Sequence, residues 1–121
     1  MKIDCQRLYT SSDDFFELEG SMVMKLTSDA AIQVCERAAS YGLVVSRVEG
    51  GVWHFPGFEA RLDCIWDGVD PPIDIFLAKK NNNFAANFIG SESRIHNVFI
   101  VTSFAVGGVI SQRKYFSREK K

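Results

Sequence analysis

The sequence predicts an α+β fold: a mostly antiparallel sheet of three to four strands with two helices packed on one face. Three stretches carry that prediction. "SDAAIQVCERAASYGL" repeats small apolar residues at helical spacing. "LVVSRVE" and "FEARLDCIW" are β-branched or alternating runs on either side of a glycine-rich turn region. "NVFIVTSF" is a near-continuous apolar run of strand length, as expected of a central strand covered on both faces.

Each element has its own local cause. Residues 1–23 have weak periodicity; "SSDDFFELEG" supports one short helical turn capped by Ser12, and the segment reads as a loosely structured N-terminal extension. Because Glu19-Gly20 codons resemble a ribosome-binding sequence, translation starting at Met22 or Met24 is a further expectation. A helix from Asp29 to Tyr41 follows, with Thr27 or Ser28 accepting the free first-turn amides, Asp29 at the positive end of the dipole and Gly42 as the left-handed stop. Ala31, Val34, Cys35 and Ala38, flanked by Ile32 and Ala39, form its buried stripe. Gly50-Gly51 is expected to turn the next strand back as a tight hairpin, and Pro56-Gly57 to break or bulge the return. Phe58, Ala60, Leu62, Cys64 and Trp66 then alternate, as an inward face, with Glu59, Arg61 and Asp63. "DGVDPPID" is loop. A second helix, beginning near Asp74 or Lys79 and ending at Ile89 before Gly90, turns Leu77, Phe84, Ala85, Phe88 and Ile89 inward. Gly107-Gly108 leads to a weaker strand around "VISQRKYF". The resulting division is an extension over 1–23, an α+β domain over 24–104, and a C-terminal extension with a basic tail over 105–121.

Composition removes several function classes. A 121-residue chain with 46% hydrophobic and 24% charged residues is ordinary for one globular domain. No apolar run approaches the roughly 20 residues that cross a bilayer, and "MKIDCQRLYTSSDD" lacks the apolar middle of a secretory signal, so a soluble protein of the cytoplasm is expected. Cys5, Cys35 and Cys64 are odd in number and widely spaced, which favours reduced thiols, and His54 and His96 form no metal-ligand motif. No cofactor, metal or catalytic residue is predicted. A hydrolase or nuclease built on the carboxylates with His54 or His96 is the alternative, but no spacing brings these groups together and no GxSxG elbow is present.

The net charge of −1 conceals an uneven distribution. Between 49 and 74, Glu49, Glu59, Asp63, Asp67, Asp70 and Asp74 face Arg61 alone, whereas much of the positive charge sits in the terminal "QRKYFSREKK". That pattern suits a basic protein partner better than direct nucleic-acid binding, although a binding module whose tail contacts nucleic acid is a third reading.

"MKLTSDAAIQVCERAASYGL" followed by "VEGGVWHFPGF" resembles the colicin-E5 immunity family, small bacterial inhibitors of a ribonuclease that cuts transfer-RNA anticodon loops. The similarity is dense over 24–63, through Met24, Lys25, Leu26, Gly42, Gly50, Gly51, Trp53, Pro56, Gly57, Phe58 and Asp63. It thins to Trp66, Asn82-Asn83, Ala85, Ile89 and "VFIVT" further on. Residues 1–23, everything after Ser103 and the loop from Asp67 to Lys80 depart from the family, and Val52 stands where a histidine is expected. The resemblance implies one-to-one occlusion of the RNA-binding cleft of a ribonuclease toxin of colicin or contact-dependent inhibition type, partly by mimicking the anticodon. A decoy of that kind needs carboxylates in place of phosphates and rings in place of bases. Glu49, Trp53, His54, Glu59, Asp63, Trp66, Asp67 and Asp70 are the candidate toxin-binding residues. Structural roles compete: turn geometry for the glycines, core packing for Trp53 and Trp66, and a solvated strand face for Glu59.

Overall fold

The computed structural model describes residues 2–20, 23–54 and 57–108. Among the described residues, five strands and three helices follow the order β1 (Leu8–Tyr9), α1 (Ser12–Glu17), β2 (Lys25–Leu26), α2 (Ser28–Ala38), β3 (Leu43–His54), β4 (Gly57–Asp67), α3 (Ile75–Glu92) and β5 (Val98–Ala105), with a 3-10 turn over Ala39–Tyr41. The strands form one sheet in the order β1-β2-β5-β3-β4. β1 and β2 are parallel, whereas β2–β5, β5–β3 and β3–β4 are antiparallel. The α+β class holds, while the sheet is mixed and larger than expected and a third helix is present. Short elements at the N-terminal end account for the difference. Tyr9 and Phe15 are buried there, and Phe15 lies against Gly20. The cap of α1 is Ser11, whose hydroxyl accepts from the Asp13 amide, and not Ser12, which is buried.

Helix α2 starts where its cap dictates: Thr27 Oγ1 accepts from the Ala30 amide at 3.3 Å. Its stop at Gly42 has φ 72°, the left-handed conformation that glycine adopts without a Cβ penalty. Ala30, Ala31, Val34, Cys35 and Ala38 are all buried, and these small side chains let α2 lie close to both α3 and β5. Leu26, Val45, Val48, Phe99 and Val101 from the sheet join Ala85 and Ile89 of α3 in the same core. β5 is central, and Val98 to Val101 are buried without a break, as the apolar run requires.

Two buried amides fasten α3 to β3. Asn82 Oδ1 accepts from the Val45 amide at 2.8 Å and from Asn81 Nδ2 at 3.1 Å, while Asn82 Nδ2 donates to Leu43 O at 3.0 Å. Asn81 Nδ2 also donates to Val45 O at 2.8 Å, and its Oδ1 accepts from the Val69 amide at 3.0 Å. The clamp sits where β3 shifts register against β5, between Val45 and Arg47. Side chains therefore supply partners at the point where the regular ladder is interrupted.

Four expectations are corrected. Gly50-Gly51 is not a turn: both glycines lie within β3, which continues to His54. The reversal falls instead between His54 and Gly57, with Phe55 and Pro56 outside the described residues. Gly50 is a close-approach site, where a Cβ would collide with Cys64 Sγ and the Phe99 ring. Helix α3 begins at Ile75, capped by Asp74, and runs through Gly90 to Glu92. Leu77 and Phe84, expected inward, are 53% and 54% exposed, because Ala78, Asn81, Asn82, Ala85, Ala86 and Ile89 form the buried stripe. Ala60, expected inward, is exposed, whereas Cys64 is buried. The side chains of Phe58 and Leu62, the strand expected around "VISQRKYF" and the basic tail lie outside the described residues.

Candidate functional site

The β3–β4 hairpin positions most of the candidate residues. β5 pairs with β3 only from Leu43 to Gly51, whereas β4 pairs with it from Arg47 to His54. Beyond Gly51 the hairpin therefore extends as a two-stranded ribbon past the end of β5. One tether holds its base: Asn97 donates its backbone amide to Gly51 O at 3.0 Å, and its Oδ1 accepts from the Trp53 amide at 2.9 Å. β4 is also the sheet edge, so its outer backbone groups are unpaired with any strand among the described residues.

Residues facing each other across an antiparallel ladder share a face of the sheet. Arg47 lies opposite Asp67 and Thr102, and Glu49 opposite Ile65 and Ile100, so these side chains occupy the face away from α2 and α3. Arg47 Nε donates to Asp67 Oδ1 at 2.7 Å, and this bond raises the guanidinium pKa. On the ribbon, His54 Nε2 is 3.2 Å from Glu59 Oε1, and Arg61 Nε is 3.2 Å from Glu59 Oε2. Asp63 and Asp70 are exposed, and Trp53 is half-buried. Trp66 lies opposite Val48 and packs against the core, leaving part of its ring accessible. The structure thus strings Glu59, Asp63, Asp67 and Asp70 along an edge strand and the loop after it, and converges none of them on a pocket.

One surface was not legible in the sequence. Val69, Ile73, Leu77, Lys80, Asn81 and Phe84 line a shallow groove between α3 and the loop that precedes it, with Phe76 nearby on α3 and 82% exposed. Asp70 and Asp74 belong to the same loop, so an apolar patch adjoins the acidic edge. The signal was the spacing of Ala78, Asn82, Ala85 and Ile89, which identifies the buried stripe once small residues and amides are counted as packing groups.

A second cluster lies beneath the hairpin. Sγ of Cys64, a carboxylate oxygen of Glu92 and a ring nitrogen of His96 lie within 4.8 Å of one another, with Cys64 and His96 buried. Burial, reinforced by the Glu92 carboxylate, pushes the Cys64 thiol up to about 11. Among the described residues, no helix is long and apolar enough to cross a membrane.

The family model described as "Colicin-E5 Imm protein" matches residues 24–104. The chain is 66% identical over 108 residues to "Immunity protein CdiI" of Burkholderia pseudomallei, covering 89% of this chain and 99% of that protein. It is 34% identical over 80 residues to "Colicin-E5 immunity protein" of Escherichia coli, covering 65% of this chain and 96% of the relative. "Colicin-E5 immunity protein in ColE9" of the same organism matches to the same extent. The chain belongs to the colicin-E5 immunity protein family, whose members act in toxin immunity and are not enzymes.

Proposed function

We propose that this protein neutralises a cognate ribonuclease toxin, one that cuts transfer RNA in the anticodon loop, by occupying the toxin's RNA-binding cleft in a one-to-one complex. The observation that carries the reading is the set of exposed carboxylates, Glu59, Asp63, Asp67 and Asp70, spread over an edge strand and its following loop. A cleft that holds phosphates and bases is cationic and offers stacking surfaces, and this edge presents carboxylates beside Trp53 and His54. Glu49, on the open face of the sheet, and the accessible part of Trp66 complete the candidate set. Long-range attraction between the acidic edge and a basic cleft speeds encounter, while desolvated contacts near the centre set the lifetime of the complex. The groove beside Leu77 and Phe84 supplies apolar area next to those charges, so it can serve as the apolar centre of an interface with the carboxylates at its rim.

The test is a transfer-RNA cleavage assay with the cognate toxin domain, paired with RNA binding by a catalytically inactive form of the same domain. Cleavage is expected to stop at one equivalent of this protein, with RNA displaced from the inactive toxin and affinity falling as salt rises. A ternary complex in which RNA stays bound while cleavage stops would overturn the occlusion reading.

A further inference from the structure

We propose that Cys64, Glu92 and His96 form a binding site for a borderline-soft divalent cation of the zinc type, joining the β4 strand to the end of α3. The three donors are sulfur, carboxylate oxygen and imidazole nitrogen, the set that zinc takes in protein sites. They come from three separate parts of the fold: β4, the last turn of α3, and the connection into β5.

Local structure holds them together. On β4 the register shifts: Glu49 pairs with Ile65 and Gly51 with Ala60, so Arg61 to Cys64 are spanned against Gly50 alone. Gly50 has no side chain, and Cys64 Sγ occupies the space a Cβ would take. The His96 amide donates to Glu92 O at 2.9 Å, continuing a helical turn, so the two side chains stand one turn apart on one face. His96 is only 4% exposed, and its Nδ1 is a buried nitrogen without a hydrogen-bond partner, 3.3 Å from Glu92 Oε1. A buried nitrogen with no hydrogen bond, even beside a carboxylate, is costly, and a metal ion bound by both groups would satisfy it.

The dimensions fit. Zinc bonds of about 2.0–2.3 Å in a tetrahedron place ligand atoms roughly 3.3–3.8 Å apart. The Nδ1–Oε1 separation is already 3.3 Å, and no pair exceeds 4.8 Å. On binding, the Cys64 S–H proton passes to solvent as the sulfur–metal bond forms, His96 binds as neutral imidazole, and no electron is transferred. Three protein ligands leave one coordination position for water. Asn97, next to His96, carries the tether to Gly51 and Trp53, so the ion would stiffen the base of the ribbon.

The experiment titrates the full chain with Co²⁺ and then displaces it with Zn²⁺. The expected result is a thiolate-to-cobalt charge-transfer band and tetrahedral visible bands saturating at one equivalent. Cys64→Ala is expected to abolish the charge-transfer band, while Cys5→Ser and Cys35→Ala retain it. Glu92→Gln and His96→Gln, checked for native circular dichroism, are each expected to weaken Co²⁺ binding by about tenfold or more. No charge-transfer band in the folded chain, a band that survives Cys64→Ala, or unchanged affinity in both Glu92→Gln and His96→Gln overturns the proposal. None of these readouts involves the toxin, so they are independent of the immunity reading.

Discussion

The two halves of strand β3 differ in what surrounds them. From Leu43 to Gly50 the strand pairs with β5, joined from Arg47 onward by β4 on its other side; it is clamped by Asn81 and Asn82 and contributes Val45 and Val48 to the core. From Val52 to His54 it pairs with β4 alone and carries half-buried or exposed side chains. One strand therefore serves as a fixed platform at one end and a projecting ribbon at the other. A two-stranded ribbon has little stability of its own, so its shape depends on the platform and on the Asn97 tether. Substitutions in the first half should destabilise the protein, and substitutions in the second should change mainly what it binds.

The largest effect is expected at the amide clamp. Asn82→Ala strands the Val45 amide and Leu43 carbonyl in a buried setting and is expected to cost about 2–4 kcal/mol in urea unfolding. Gly50→Ala drives a methyl group toward Cys64 Sγ and Phe99 and is expected to cost about 1–3 kcal/mol by the same measurement. If Gly50 belonged to a turn, as the sequence suggested, alanine would cost mainly backbone strain and leave the Phe99 environment unchanged in NMR spectra.

A smaller effect concerns pH. Burial, with a lesser contribution from Glu36, raises the Cys35 thiol from 9.0 to about 12, so the folded state holds a proton that the unfolded chain releases above about pH 9. Its contribution is fully present below that pH and is lost as pH climbs from 9 towards 12, at a limiting slope of about 1.4 kcal/mol per pH unit. Urea unfolding from pH 8 to pH 10.5 is expected to show a steeper fall for the wild type than for Cys35→Ala. The smallest change in stability is expected on the ribbon, where Glu59→Lys alters an exposed carboxylate and should stay within about 0.5 kcal/mol of wild type.

Much of the platform was legible because its causes are local. Thr27, Asp29 and Gly42 define α2 at both ends, and the apolar run from Val98 to Val101 announces a central strand. Long-range geometry was not legible. Gly50-Gly51 has the composition of a turn, yet its smallness makes room for Cys64 and Phe99 from other strands. Leu77 and Phe84 have core chemistry, but α3 buries alanines and asparagines, and the larger side chains are left outside. The acidic character of the candidate site was readable from charge alone. Its placement on an edge strand required the sheet order, and the meeting of Cys64, Glu92 and His96 required the register shift in β4.

The most direct test reverses charge along that edge. A Glu59→Lys, Asp63→Lys, Asp70→Lys variant, shown by circular dichroism and urea unfolding to keep the native fold, is titrated against the cognate toxin domain at several salt concentrations. Affinity is expected to fall by about 100-fold or more at low salt, with a flattened or inverted salt dependence. Unaltered affinity in that variant, with binding lost instead in Phe76→Ser, Phe84→Ser, would contradict the acidic-edge reading and move the interface to α3.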